Sequence, residues 1–442
     1  MQILTNTLNF IANAGDYFER TDEKTRRLKR ILSILLVLIL LGLWANMVIR
    51  ATRGHGSQYD DFTEFSRDLL FNQINVYEVY DLDVTSIGKY PPFFAMVYAP
   101  LVPLPLPLGA AIWFLFSAVM MVLAAKAAVS MVMRFSGIAS MPHQTALWAV
   151  PLALIGVVTI TNLETSQVNI FIFSLVLLGL DQFSKNKDMQ AGLLLGIATA
   201  IKITPGLFIA YFFYKRSWKM VFWASAGVLI CWGVVLPLAL TPSRFLPVLT
   251  SWLDIFLSFI TEGTIAEGVT GFRHTNQSLS AVIYRFFTDT PANGGFENLY
   301  VNILNLSYAT AGWIMKILKI GILVGLALVC RAPMKGRKDP RIPLELSLVA
   351  IATLYLSPIS WINHYIVMIL PFVVAYFFVQ SRKPLDQQGH KMLVALAWSA
   401  FLVAMIHPLI MTVSLPFFGS MLMVIFLIKG MGWLKPSTEV VT

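Results

Sequence analysis

The amino-acid sequence predicts an all-α integral membrane protein. Of its 442 residues, 57% are apolar and only 13% are charged, whereas soluble domains carry about 25% charged residues. The apolar residues are gathered into long runs, and a run of about 20 residues is enough to cross the hydrocarbon core of a bilayer. These observations predict a polytopic helical bundle.

The first apolar run, residues 31–49, follows a polar leader (1–30) that ends in basic residues. We assign 31–431 to one membrane domain, with outer loops at about 50–106 and 241–300, and 432–442 to a tail. Further apolar runs lie at about 107–133, 145–161, 167–183, 217–240, 303–330, 343–357, 362–379, 391–411 and 413–431.

The stretch 189–214 is apolar and long enough for one span, but it carries "KITP" at its middle. Pro205 and the residue before it disfavour continued helix. We therefore expect two short helices that return to the side they left. With this hairpin every large basic cluster falls in the cytoplasm, as the positive-inside rule favours. The interpretation gives about twelve membrane helices, this broken pair included, with both termini cytoplasmic.

The charge and the cysteines exclude several other classes of protein. The net charge of +10 is explained by the basic cytoplasmic loops, so it does not indicate nucleic-acid binding. Cys231 and Cys330 both lie in apolar runs, which indicates neither a disulfide framework nor a zinc site. The outer loops contain "FTEFSRDLLFNQ" and "RFLPVLTSWLDIFLSFI", which are amphipathic and suit helices lying in the outer interface.

Four acidic residues stand close together in "QYDDFTEFSRDLL", residues 58–70. They are Asp60, Asp61, Glu64 and Asp68. One interpretation is a capped surface helix that begins near Asp61, with Asp60 or Asp61 as N-cap and the carboxylates favoured by the helix dipole. The other is a catalytic carboxylate, and the two interpretations are compatible.

Four cationic or imidazole side chains fall on the same predicted face of the membrane. Lys202 lies in an apolar segment, which makes it a functional candidate, although a snorkelling or carboxylate-paired structural lysine is the alternative. Arg273 and His274 lie in the second loop, and His364 lies at a turn between two apolar helices. A guanidinium group suits bidentate contact with phosphate.

Amide and aromatic side chains accompany these cations. Amides offer both donors and acceptors to sugar hydroxyls, although polar residues at helix ends and an interfacial tryptophan also have purely structural explanations. The candidates for sugar or acceptor binding are Gln167, Asn169, Asn276, Gln277, Tyr90, Trp361 and Asn363.

A phosphate held by cations beside a free carboxylate favours a reaction with phosphate as leaving group and the carboxylate as base. A phosphate leaving group already carries its charge, so no second carboxylic acid is needed. We expect no cofactor, no dedicated metal site and no requirement for a divalent metal.

The order of these motifs resembles glycosyltransferase family 87. The segments that carry the resemblance include "DFTEF", "YPPFFAMVYAPLVPLP", "SQVNIFIFSLVLLGL", "AGLLLGIATAIKITPGLFIAYFFYKRSW", "TNQSLSAVIYRFF" and "SPISWINHYIVMILP". The resemblance implies a GT-C type polytopic bundle. It also implies inverting transfer of a hexose, mannose in the family's type members, from a polyprenyl-phosphate donor to a glycolipid or glycan acceptor on the extracytoplasmic face.

The resemblance also implies roles for individual residues. The family's general base is an aspartate followed four residues later by an aromatic residue, and Asp61 with Phe65 fits that pattern; Asp60 is the second choice. Lys202 and His364 correspond to the family's lysine and histidine, and "NQSL" supplies Asn276 and Gln277. This chain has Thr275 where we expect glycine.

Three other kinds of function are compatible with the sequence. A transporter or flippase of a lipid-linked or anionic substrate is the main alternative, although it predicts charges through the membrane midplane and internal repeats. A ligase or polymerase of lipid-linked glycans would share the donor type, and a non-enzymatic scaffold is the remaining possibility. We expect a multi-pass protein of the bacterial cytoplasmic (inner) membrane with its active site on the periplasmic side.

Overall fold

The computed structural model describes residues 2–20, 22–53, 58–79, 90–261, 273–292, 299–382 and 384–434. Regular structure in these ranges is helical, apart from one antiparallel bridge between Asn276 and Trp361. The all-α prediction is therefore confirmed for the described residues. Parts of both expected outer loops and most of the expected tail lie outside the described residues.

The chain folds into twenty-one α-helical segments within the described residues, joined in places by short 3-10 or π turns. The first eleven are α1 Gln2–Glu19, α2 Glu23–Arg53, α3 Gln58–Ser66, α4 Val76–Val79, α5 Ala95–Tyr98, α6 Leu106–Phe135, α7 Gln144–Leu154, α8 Gly156–Glu164, α9 Asn169–Ser184, α10 Asp188–Ile201 and α11 Gly206–Tyr214. The others are α12 Trp218–Ile230, α13 Leu236–Ala239, α14 Pro242–Thr261, α15 Leu279–Phe287, α16 Tyr308–Val329, α17 Arg341–Leu356, α18 Ile369–Gln380, α19 Gln387–Val403, α20 Pro408–Thr412 and α21 Leu415–Trp433.

Several helices are long and apolar enough to cross a membrane, which identifies a multi-pass membrane protein. Six in the described chain meet this criterion, or seven if α7 and α8, bent by 65° at their junction, form one span. The expected count of about twelve is not confirmed. The six are Glu23–Ala51, Leu106–Phe135, Trp218–Ala239, Tyr308–Val329, Ile362–Gln380 and Leu415–Trp433.

The stretch around "KITP" is a break between α10 and α11. Lys202 is extended, with φ −150° and ψ 131°, and Pro205 precedes α11. Arg337 binds Asp188 at the start of α10. After α11, the Lys215 ammonium contacts Glu345 at 2.7 Å. Since both ends of the pair are tied to one segment, 330–345, the chain reverses at the break, as predicted.

This reversal defines two ends of the bundle. The Lys202 end carries the break and the start of α9. The Lys215 end carries Asp188, Lys215 and Arg337. At the Lys215 end the Lys215 ammonium also donates to the carbonyl oxygens of Cys330 at 2.6 Å and Ala332 at 2.7 Å. A buried ammonium satisfied in this way fixes where α11 ends.

Helices α10 and α12 pack closely because small residues face each other. A Cβ atom at Gly196 would lie 2.3 Å from the carbonyl oxygen of Ala224 and 2.9 Å from Cα of Gly227. Only glycine allows this approach, a common way for membrane helices to associate. This close contact fixes the position of α10, whose last residue precedes the break that carries Lys202.

Helix α3 begins at Gln58, one turn before the start expected from the sequence. Asp60 and Asp61 therefore lie inside its first turn, and neither is the N-cap. Tyr59, Phe62 and Phe65 are buried, and the Phe62 ring packs 5.0 Å from Phe94. This aromatic contact fixes the acidic helix on the bundle.

The leader residues form helix α1, which packs on the bundle. Gln380 Nε2 donates to the carbonyl oxygen of Ala12 at 2.9 Å. His143 Nε2 lies 3.0 Å from the Asp16 carboxylate. These contacts tie the leader helix to the start of α7 and to the end of α18.

Candidate functional site

A cavity opens beside the break between α10 and α11. Its volume is about 470 Å³, including its mouth. Its polar groups come from α9, the break, the end of α17 and the turn after it, and its deeper wall is apolar. The lining residues are Asn169, Ile172, Phe173, Val176, Lys202, Thr204, Pro205, Phe208, Thr353, Leu354, Ser357, Ser360, His364, Ile366 and Val367.

Lys202 supplies the formal positive charge of the cavity lining. Its Nζ donates to Oδ1 of Asn169 at 2.9 Å and lies 5.6 Å from the centre of the Tyr90 ring. An ammonium has three N–H donors, so the bond to Asn169 leaves two for a ligand. Attraction to the ring face adds to its orientation.

A chain of amides connects Lys202 to the acidic helix α3. Asn169 Nδ2 donates to Oε1 of Gln167 at 3.2 Å, and Gln167 Nε2 donates to Oε1 of Gln58. Gln58 is the first residue of α3. The predicted residues Gln167, Asn169 and Lys202 are therefore brought together, and Gln58 joins a site that the sequence did not assign to it.

The two candidate bases point to different sides of α3. Gln58, Asp61 and Phe65 are spaced three and four residues apart and share a face, whereas Asp60 lies on the side opposite Gln58. Neither aspartate lines the cavity. Helix geometry thus places Asp61, rather than Asp60, on the side of the amide chain.

The two aspartates also differ electrostatically. Burial, together with the charges of Asp61 and Glu64, raises the pKa of Asp60 to about 6. Oδ1 of Asp60 is buried without a hydrogen-bond partner. Burial also raises the pKa of Asp61, although this side chain is the more exposed of the two.

His364 reaches the cavity from the short 3-10 helix Ile362–Met368. Its Nδ1 accepts a hydrogen bond from the backbone N–H of Trp361 at 3.0 Å. The neutral ring therefore carries its proton on Nε2. The Nε2–H group is therefore available to donate a hydrogen bond. The imidazole ring lies parallel to the Trp361 ring, with 6.4 Å between their centroids.

Asn276 and Gln277 are buried and bonded to the protein. Oδ1 of Asn276 accepts from the backbone N–H groups of Ser278 at 3.0 Å and Ser360 at 2.9 Å. Gln277 Nε2 donates to the carbonyl oxygen of Met411 at 2.8 Å. These amides fasten the 273–278 segment to the turn that supports His364. A direct contact with sugar stays a prediction for both.

Three other predicted residues lie around this turn but do not line the cavity. Arg273 is exposed and His274 is partly buried. Asn363 is buried, and its carbonyl oxygen accepts from Asn162 Nδ2 at 3.0 Å. The structure thus brings Lys202 and His364 to one cavity and leaves Arg273 and His274 at its periphery.

Arg285 is a structural residue of this region that sequence reasoning missed. Its side chain is fully buried in α15. It donates to the carbonyl oxygens of Arg273 at 2.9 Å and Asn276 at 2.7 Å, and to Oγ of Ser414 at 2.6 Å. The sequence did contain a signal for this role, because the short helix after "NQSL" is amphipathic and carries an arginine. Burying a charged side chain costs free energy unless it has partners.

The described residues contain no group of three or more His, Cys, Asp or Glu side chains suited to hold a metal ion. Among the described residues, the lining of the cavity includes amide, hydroxyl, ammonium and imidazole groups but no carboxylate. These groups suit an anion better than a cation.

Comparison with known proteins decides the family. A profile of glycosyltransferase family 87 matches residues 89–358, more than half of the chain. The chain belongs to glycosyltransferase family 87. The matched region contains Lys202 and Asn276, whereas the acidic helix and His364 lie outside it.

Two relatives that are named as mannosyltransferases come from Mycolicibacterium smegmatis. A polyprenol-phosphate-mannose-dependent alpha-(1-2)-phosphatidylinositol pentamannoside mannosyltransferase is 29% identical over 289 residues, covering 63% of this chain and 58% of the relative. A polyprenol-phosphate-mannose-dependent alpha-(1-2)-phosphatidylinositol mannoside mannosyltransferase is 22% identical over 306 residues, covering 66% of this chain and 62% of the relative. The matches thus span about three fifths of the length of these relatives. No solved structure matches the chain.

Proposed function

We propose that this chain is an inverting hexosyltransferase that moves mannose from a polyprenyl-phosphate donor to a glycolipid or glycan acceptor. The observation that carries the proposal is the cavity in which Lys202 and His364 converge. It is joined through Asn169, Gln167 and Gln58 to the helix that bears Asp61. Family 87 membership and the names of the relatives support the donor class.

The donor phosphate binds at Lys202 and His364. Lys202 offers its two remaining N–H groups, and His364 offers Nε2–H. Both groups can donate to an anion, and the cavity-lining residues that the structure describes include no carboxylate. As the sugar departs, negative charge grows on the phosphate oxygen, and fixed donors stabilise this charge without reorganisation.

The reaction is a single displacement at the anomeric carbon. The acceptor hydroxyl oxygen forms a bond to C1 while the bond from C1 to the phosphate oxygen breaks, and its electron pair stays on the polyprenyl phosphate. Asp61 takes the hydroxyl proton as general base. Attack opposite the leaving group inverts C1 through an oxocarbenium-like transition state. Asp60 is the second candidate for the base.

The remaining predicted residues act around this centre. In this proposal Arg273 and His274 assist binding of the donor phosphate from the periphery of the cavity. Asn363 and Tyr90 shape the sugar and acceptor region. In this proposal the reaction requires no cofactor and no divalent metal.

The proposed orientation places the Lys202 end on the extracytoplasmic face of the bacterial inner membrane, with both termini in the cytoplasm. The positive-inside rule supports this orientation, because the basic residues Lys185, Lys215, Arg337 and Arg382 gather at the Lys215 end. A cysteine introduced at position 204 would then react with an impermeant reagent from outside. Labelling only from the cytoplasmic side would refute the orientation.

The function is tested by incubating membranes with radiolabelled polyprenyl-phosphate mannose. We expect wild-type protein to transfer label to an extractable glycolipid or glycan and Asp61→Asn to lose transfer while still binding donor. Asp60→Asn is the matched control, one residue away on the other side of α3, and it should retain transfer.

Two outcomes would count against the proposal. Undiminished transfer by Asp61→Asn together with loss in Asp60→Asn would move the base to Asp60. Translocation of intact donor across the bilayer without sugar transfer would instead identify a transporter or flippase.

A further inference from the structure

A second open groove lies far from the cavity, between α6 and α7. Helix α6 begins near the Lys202 end, where Trp113 Nε1 donates to the carbonyl oxygen of Ser166 at 3.1 Å. Its second half therefore runs toward the Lys215 end. The groove there has a volume of about 940 Å³, including its mouth. Its polar and aromatic lining residues are Lys126, Ser130, Arg134, Gln144, Thr145 and Trp148.

The groove has a polar stripe with a positive charge at each end. Lys126, Ser130 and Arg134 follow one another at intervals of four residues, so they lie on one face of α6. Both cationic side chains are exposed. In the described part of the chain, the groove lining contains no carboxylate and neither cation forms an ion pair. The two charges are left for a ligand to neutralise.

Helix α7 supplies the facing wall. The Lys126 ammonium lies 5.3 Å from the centre of the Trp148 ring. Gln144 and Thr145, at the start of α7, add amide and hydroxyl groups beside Arg134. Next to Gln144, Nε2 of His143 lies 3.0 Å from the Asp16 carboxylate.

The depth of the two cations fits a phospholipid. A helix of 30 residues such as α6 is about 45 Å long, against a hydrocarbon core of about 30 Å. Arg134, next to the helix end, therefore lies at headgroup level. Lys126 starts about 14 Å from the end, and its ammonium lies beside Trp148, one turn into α7.

We propose that this groove binds the headgroup of an anionic phospholipid from the leaflet at the Lys215 end. Arg134 and Lys126 contact the headgroup phosphate. Trp148 packs against the glycerol backbone and the first methylene groups. Basic pockets between membrane helices are suited to acidic headgroups, and an indole is suited to the boundary between headgroups and acyl chains. The site is separate from the proposed transfer chemistry and does not depend on it.

The test is native mass spectrometry of the purified full chain in detergent, titrated with palmitoyl-oleoyl phosphatidylglycerol or with phosphatidylcholine of the same acyl chains. We expect one phosphatidylglycerol to be retained in preference to phosphatidylcholine. The double variant Lys126→Gln with Arg134→Gln should bind it on the order of tenfold more weakly or worse. Lys126→Arg with Arg134→Lys keeps both charges and should retain the preference.

The matched control removes one exposed lysine and one exposed arginine elsewhere, Lys429→Gln with Arg27→Gln. Lys429 also lies over an aromatic ring, that of Phe426 at 5.4 Å, but outside the groove. We expect this control variant to bind phosphatidylglycerol as tightly as the wild-type protein does. Equal retention of the two lipids by wild-type protein would overturn the proposal, whatever the folding of the variants. Equal phosphatidylglycerol binding by the wild type and the Lys126/Arg134 glutamine variant would also overturn it, and so would displacement of the lipid by equimolar inorganic phosphate.

Discussion

The ammonium group of Lys202 lies 2.9 Å from Oδ1 of Asn169, so the residue that follows α10 is fixed by the residue that begins α9. This contact holds a positive charge at a break in an apolar hairpin, where the backbone no longer continues as a helix. It leaves part of the ammonium facing the cavity.

Loss of the Lys202 charge should remove most of the transfer activity. We expect Lys202→Met to lower kcat/KM by roughly a hundredfold to a thousandfold, because a fixed donor to the leaving phosphate is lost. Lys202→Arg should retain more activity than Lys202→Met. The measurement is steady-state transfer from radiolabelled polyprenyl-phosphate mannose.

The matched control for this variant is Lys316→Met. Lys316 is also a lysine of an apolar helix, 5.1 Å from the ring centre of Trp313, but it lies outside the cavity. The Lys316→Met substitution should leave kcat/KM near the wild-type value. An equal loss in both variants would indicate a general effect of charge in the membrane helices and not a phosphate site.

His364 should act as a neutral donor and not as an acid. His364→Phe removes Nε2–H and should lower kcat/KM by roughly a hundredfold. His364→Gln keeps an N–H donor at similar reach and should recover a large part of that loss. Recovery is measured as the ratio of kcat/KM between His364→Gln and His364→Phe. If kcat/KM is no higher for the glutamine variant, the donor role is wrong.

Transfer should decline on the acid side as the base gains a proton. Burial raises the pKa of Asp61 above its usual value of 3.8, so protonation begins at a higher pH than for a free aspartate. Activity should therefore be full at neutral pH and fall with a single acid limb as the pH decreases. The profile of log(kcat/KM) against pH measures this limb.

The neighbouring carboxylate provides the control for the pH profile. The pKa of Asp60 is raised to about 6, and Asp60→Asn should retain the acid limb because Asp61 remains. Disappearance of the limb in Asp60→Asn would assign the titration to Asp60.

Asn276 should matter for stability more than for catalysis. Asn276→Ala leaves the backbone N–H of Ser360 and that of Ser278 without their acceptor, at a cost of about 1–3 kcal/mol for each buried orphan. We expect a lower Tm in detergent and, for the folded fraction, a nearly unchanged KM. A large rise in KM without a change in Tm would restore the direct sugar contact predicted from the sequence.

The sequence was sufficient to predict the helical membrane class and the reversal at Lys202. Both depend on local signals, since apolar runs and a proline break are visible in a single segment. It also placed Gln167, Asn169, Lys202 and His364 in one site, because charge asymmetry assigned their segments to one face. The bend between α7 and α8 was missed because the apolar run at 145–161 continues through it.

Contacts between distant segments were not predictable in the same way. Gln58 has no motif of its own and joins the site only because α3 begins one turn earlier than expected. Asn276 resembled a free loop amide, whereas its partners are backbone groups of Pro358 and Ser360, some eighty residues away. The burial of Arg285 likewise depends on Ser414 in a distant segment.

The most direct test of the central claim is an experimental structure of the chain in lipid nanodiscs with polyprenyl phosphate, the leaving group of the proposed reaction. We predict density for the phosphate within about 3 Å of Lys202 Nζ and His364 Nε2, a hydrogen-bond distance, with the Asp61 side of α3 facing the same space. Phosphate bound away from both side chains, with the cavity empty, would contradict the account.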